Sequence, residues 1–135
     1  MLQQKRSKYR KEFRGKMGGV AKRGTRLAFG DYGLKCLGRG WLSAKQIEAA
    51  RVAVSHYTKR AGKLWIRVFP HKPVTTKGLG VGMGSGKGEI DRYVVTVRPG
   101  RVVLELAGVS REMAIQALTR AGNKLPFKTR FMERQ

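Results

Sequence analysis

Acidic residues are the scarcest resource of this chain. Asp and Glu together number 8, against 30 Lys and Arg, for a formal net charge of +22. Between Ala49 and Gly88 there is no acid at all. Two-metal catalysis needs clustered carboxylates, and Glu89 with Asp91 is the one close pair. These two read as charges at the base of a hairpin. Cysteine is nearly absent: Cys36 stands alone. It can form neither an intrachain disulfide nor a cysteine-based zinc site, and it reads as a small, partly buried thiol in a reducing compartment. His56 and His71 are not at metal-ligand spacing, and His56 reads as a surface or packing residue. No catalytic residue, metal ligand or cofactor is expected. No apolar run approaches the roughly 18 residues of a membrane span. Residues 1–26 contain no apolar core of a secretory signal.

What is present is cationic and glycine-rich. A charge of +22 on 135 residues repels itself unless something neutralises it. Nucleic acid is the commonest neutraliser and an anionic membrane the second. The length suits a single domain, able to bury about two-thirds of its unfolded surface. The 41% apolar content is compatible with a real core.

From Gly78 to Gly88 every second residue is glycine. Glycine at that density weakens a strand and costs a helix about 1 kcal/mol per residue against alanine. The spacing predicts a pliable loop, flanked by His71, Lys72 and Lys77 and containing Lys87. It is not a P-loop. Gly86-Lys87 is followed by Gly88, not Ser or Thr, and the first glycine would fall on Val81. The dinucleotide fingerprint fails at Ser85. Residues from Glu89 onward read as strand, so no helix N-terminus faces a phosphate.

The remaining chain divides as follows. Residues 1–26 read as a basic arm, with Lys5, Arg6, Lys8, Arg10, Lys11, Arg14, Lys16, Lys22, Arg23 and Arg26 against the single acid Glu12. It has too little to bury to fold alone. Tyr9 and Phe13 could stack on bases or pack on the domain. Residues 27–135 form one α+β domain with the glycine-rich loop at 71–89. Within it, 27–42 suggests brief strands and turns, with Phe29, Leu34 and Leu37 as core candidates and Trp41 as a helix staple. Ser43 and Gln46 have capping-box spacing. Ile47, Ala50, Val54, Tyr57 and Ala61 form an apolar stripe ending before Gly62. Leu64–Phe69 alternates as a strand, with Pro70 and Pro73 ending it. Residues 92–107 read as a hairpin about Pro99-Gly100, with Arg98 and Arg101 flanking its turn. Ser110 caps a second helix with Ala114, Ala117, Leu118 and Ala121 inward and Gly122 as its stop. Residues 125–131 make a last strand. This gives two helices and a mixed or antiparallel sheet. Phosphate contacts by the arm and the acid-free span would supply salt-sensitive affinity without sequence reading. No helix-turn-helix, zinc finger or RNP-type aromatic sheet is visible, so an irregular RNA recognised by shape fits best.

Several stretches, in order, resemble one family. They are Met1-Leu-Gln-Gln-Lys-Arg6, Phe29-Gly-Asp-Tyr-Gly33, Gln46-Ile-Glu-Ala-Ala-Arg51, Gly62-Lys-Leu-Trp-Ile-Arg-Val-Phe-Pro70, Lys72-Pro73, Met83-Gly-Ser-Gly-Lys-Gly88, Pro99-Gly-Arg101 and Lys124-Leu-Pro126. Together, from Met1 to about Phe131, they resemble the large-subunit ribosomal protein sixteen of bacteria and organelles. The resemblance implies a hammerhead-like α+β fold, no enzymatic activity and no small-molecule substrate. It implies binding to large-subunit rRNA, with neighbouring ribosomal proteins as further partners. It also implies contact with tRNA in the A site, with the P site as the alternative, in the cytoplasmic or an organellar ribosome. The candidate rRNA contacts are Lys5, Arg6, Lys8, Arg10, Lys11, Arg14, Lys16, Lys22, Arg23, Arg51, Lys59, Arg60, Lys63, Arg67, Lys72, Lys77, Arg98 and Arg101. The tRNA-proximal loop is Gly82, Met83, Gly84, Ser85, Gly86, Lys87 and Gly88. Many relatives carry an arginine, hydroxylated in some bacteria, where this chain has Gly82. Relatives also often have proline at Gly78 and aspartate at His71. Two rivals remain: a DNA-compacting architectural protein, and an RNA-processing enzyme using Glu89, Asp91 or His71.

Overall fold

The computed structural model describes residues 2–78, 80, 82–84 and 86–134. Their elements follow the order β1 (Tyr32–Cys36), β2 (Gly40–Ser43), α1 (Ala44–Thr58), β3 (Lys63–Ile66), β4 (Lys72–Thr76), β5 (Glu89–Val97), β6 (Val102–Ala107), α2 (Arg111–Gly122) and β7 (Thr129–Glu133). The α+β class read from the sequence holds. The strands form two antiparallel sheets rather than one, ordered β3-β6-β1-β7 and β2-β5-β4.

The expected hairpin at 92–107 is therefore absent. β5 pairs with β2 and β4, while β6 pairs with β1 and β3. The Pro99-Gly100 turn carries the chain from one sheet to the other. The physical reason is burial: every residue from Val102 to Leu106 is buried. An isolated hairpin could not cover both faces of such a strand, whereas the centre of a sheet covered on both sides does. β4 lies inside the stretch expected to be loop. It is an edge strand, where Pro73 is tolerated.

Ser43 and Gln46 form the expected capping box on α1, each side chain bonded to the other's backbone N–H. The staple position belongs to Leu42, buried together with Ile47, and not to Trp41. α1 stops at Thr58, four residues before Gly62. Lys59 and Arg60 turn left-handed there, at φ 53° and 66°. The Arg60 and Ala61 N–H groups take up the Ser55 and Thr58 carbonyls at 3.1 and 2.9 Å. Thr58 replaces Tyr57 and Ala61 on the buried stripe. α2 buries Ala114, Ala117, Leu118 and Ala121 as read. Gly122 stays within the helix, where a Cβ would lie 2.4 Å from Thr129 Oγ1 on β7.

The core joins both helices to both sheets: Leu34, Cys36, Leu42, Ile47, Val54, Val97, Leu104, Leu106 and Leu118 share one cluster. Of the early core candidates only Leu34 is inside; Phe29 and Leu37 are 59% and 47% exposed. β7 begins at Thr129, later than expected, although Leu125 is still buried.

Candidate nucleic-acid interface

Residues 2–31 contain no helix or strand, yet part of this stretch is firmly tied to the domain. The tie begins at Glu105 in β6, whose side chain is fully buried. Its Oε1 accepts the N–H groups of Ala28, Phe29 and Gly30 at 3.0, 2.8 and 2.8 Å. Its Oε2 meets the Arg67 guanidinium, which also donates to the Arg26 carbonyl at 3.2 Å. The Phe29 ring stacks on Trp65 with centroids 6.0 Å apart, and Arg67 lies over the Phe29 ring. Burial by itself would raise the Glu105 carboxyl's pKa. The N–H groups of Gly30 and Phe29, with Arg67 and Ala28, overcome this and hold it below the usual carboxylate range. Further back, Ala21 N–H donates to the Pro99 carbonyl at 2.9 Å, and Val102 N–H donates to the Gly24 carbonyl at 2.7 Å.

Before residue 21 the contacts change character. Domain cations hold backbone carbonyls: Lys72 that of Arg14, Lys87 that of Glu12 at 2.5 Å, and Arg98 those of Gly18 and Lys16 at 3.1 and 3.2 Å. Arg10 and Glu89 approach to 3.6 Å in the open, a contact of little stabilising value.

Among the described residues of the glycine-rich loop, Gly82 to Gly84 are bare by comparison. A Cβ placed on Gly82, Gly84 or Gly86 would meet nothing within 4 Å. Met83 is 96% exposed. Lys77 Nζ reaches back to the Gly82 and Gly84 carbonyls at 3.2 and 2.5 Å. Ser85 lies outside the described residues. The loop's end is tight: a Cβ on Gly88 would stand 2.3 Å from the Thr76 carbonyl oxygen.

The structure divides the eighteen candidate rRNA contacts into three groups. Lys72, Lys77 and Arg98 lie with the stretch Lys5–Arg23 and with the loop, through the bonds above. Arg51, Lys59, Arg60 and Lys63 belong to α1 and to the segment that follows it. There Arg51 is paired with Glu48 at 2.5 Å, Lys63 lies 5.3 Å from the Trp65 ring centroid, and Lys59 and Arg60 are exposed. Arg67 and Arg101 point inward. Arg101 Nη2 donates to the Arg67 carbonyl at 3.0 Å, and its Nε is buried without a partner among the described residues. Burial, then the charge of Arg67, lowers the Arg101 pKa.

The family described as ribosomal protein L16p/L10e matches residues 4–132. The chain belongs to this family. It is 53% identical over 134 residues to the large ribosomal subunit protein uL16 of Kosmotoga olearia, covering 99% of this chain and 95% of that one. It is 54% identical over 135 residues to the protein of the same name from Paracidovorax citrulli, covering 100% of this chain and 98% of that one.

For this L16p/L10e chain, the residue that sequence reasoning missed is Glu105. Strict alternation sets Glu105 on the strand face opposite Val102, Leu104 and Leu106. The available signal was an acid inside the apolar run Val102-Val-Leu-Glu-Leu-Ala107, since a lone carboxylate among buried positions requires partners. Cys36 is more inert than its sequence suggested. Its Sγ–H donates to the Gly38 carbonyl at 2.8 Å, and burial pushes its pKa up to about 11.

Proposed function

We propose that the chain is a structural, non-enzymatic component of the large ribosomal subunit that binds rRNA and contacts tRNA. The observation that carries this reading is the near-complete match to relatives named as large ribosomal subunit proteins. The excess of 30 cations over 8 acids supports it, because packed RNA phosphates must be neutralised. In this reading residues 1–26 act as a basic arm and 27–135 as the RNA-binding domain. Of the eighteen cations named above, those other than the inward-pointing Arg67 and Arg101 contact rRNA, and neighbouring ribosomal proteins complete the site. The loop Gly82–Gly88 faces tRNA. It offers the exposed residue Lys87 and, at Gly82, Gly84 and Gly86, backbone with open space where a side chain would stand. Bacterial relatives favour a cytoplasmic ribosome.

Sedimentation of cell extract through a sucrose gradient tests the assignment. The protein is expected to run with the large subunit; running free or with nucleoid overturns it. Changing Lys87 to Ala tests the loop. tRNA accommodation should fall more than incorporation into subunits, and equal loss of both would make Lys87 an assembly contact.

A further inference from the structure

Phe13 is 91% exposed. A single exposed aromatic normally needs no explanation, but this one is held in place by its neighbours. The Lys87 ammonium lies over its ring, 5.4 Å from the centroid. That same ammonium donates to the carbonyl of Glu12 at 2.5 Å, and Lys11 Nζ returns a bond to the Lys87 carbonyl at 3.4 Å. These contacts clasp residues 11–13 to the loop. Lys72 holds the Arg14 carbonyl, and the Arg14 guanidinium lies over Trp41. The ring therefore has a cation against one face and open solvent against the other. The other well-exposed Phe of the N-terminal stretch, Phe29, has its face covered by Trp65. An aromatic face with the Lys87 ammonium against it, and with Lys11 and Arg14 close by in the chain, has the composition of a platform for an unpaired base. Stacking supplies the affinity, and the cations receive the flanking phosphates.

We infer that Phe13 is a stacking site for an unpaired nucleobase of RNA, and that residues 11–14 and Lys87 form one composite site. This rests on the RNA-binding reading above, and it moves part of the N-terminal stretch from general neutralisation to the surface shared with the loop. The test uses the full chain with two probes: a single-stranded oligoribonucleotide of about eight nucleotides carrying a fluorescent base, and an RNA duplex of the same sequence. Phe13→Ala should weaken the single strand roughly tenfold, within the range of one stacked base. Duplex affinity and the salt slopes should stay unchanged. Phe13→Trp should restore binding and quench the fluorescent base. Unchanged single-strand affinity, or an equal loss on the duplex, overturns the stacking site while leaving RNA binding intact. If the unaltered protein binds neither probe, the RNA-binding reading fails with it.

Discussion

The N-terminal stretch and the glycine-rich loop look alike in composition and behave differently in the fold. Both are irregular, basic and poor in apolar residues. Yet residues 21–30 are anchored through backbone hydrogen bonds, several of them to a buried carboxylate, whereas among the described residues Gly82 and Gly84 of the loop touch little beyond Lys77. The difference comes from the partner and not from the segment. Glu105 is one of 8 acids, and it is placed where three successive N–H groups and a guanidinium can reach it. A charge so buried must be fully bonded. It binds the backbone of residues 28–30, so side-chain composition there reveals little of the anchor.

The largest expected effect comes from removing that anchor. Glu105→Ala leaves Arg67 without its carboxylate and three N–H groups unmatched. It should destabilise the domain by about 3–5 kcal/mol in chemical denaturation and expose the Ala28–Gly30 amides to hydrogen exchange. If stability and exchange stay unchanged, the contrast between the two regions collapses. The pH dependence follows from the same group. The folded-state pKa lies below the unfolded value, so Glu105 contributes fully above the ordinary carboxylate pKa of about 4.3. The contribution is lost as pH falls through the depressed folded value. Glu105→Gln should flatten that acid limb of the stability profile.

One substitution made in both regions sharpens the comparison. A Cβ on Gly30 would lie 2.8 Å from the Leu106 carbonyl oxygen and 2.9 Å from its nitrogen. Gly30→Ala should therefore cost about 1–3 kcal/mol in thermal unfolding. Gly84→Ala, with nothing within 4 Å, should stay within about 0.5 kcal/mol of the unaltered protein. Equal effects would place the two glycines in equivalent surroundings. A smaller change is expected from Lys87→Ala in RNA titrations: the slope of log affinity against log salt should fall by about 0.7–0.9, the value of one phosphate contact. The smallest effect is chemical silence. With Cys36 buried and its pKa at about 11, an aromatic disulfide reagent at neutral pH should leave the folded protein unlabelled and react only after denaturation.

Local signals were well preserved in the sequence. The Ser43–Gln46 cap, the α2 stripe from Ala114 to Ala121 and the failed P-loop match at Gly88 all depend on neighbours a few residues away. Pairing was not legible. Val102-Val-Leu-Glu-Leu-Ala107 alternates equally well beside β5 or beside β1. Choosing between them depends on which sheet can cover both faces. The αL turn at Lys59-Arg60 was likewise hidden, since the expected stop was a glycine three residues further on.

By itself the sequence determined the charge balance, the α+β class, the N-terminal helix caps at Ser43 and Ser110 and the family resemblance. These follow from composition and short-range periodicity. Only the tertiary structure decided that the strands divide into two sheets, that Arg67 and Arg101 face inward, and that residues 28–30 hang on Glu105. It also decided that Phe13 stands beside Lys87. Each of these joins residues far apart in the chain, and such contacts form only when the whole core selects which buried groups must meet.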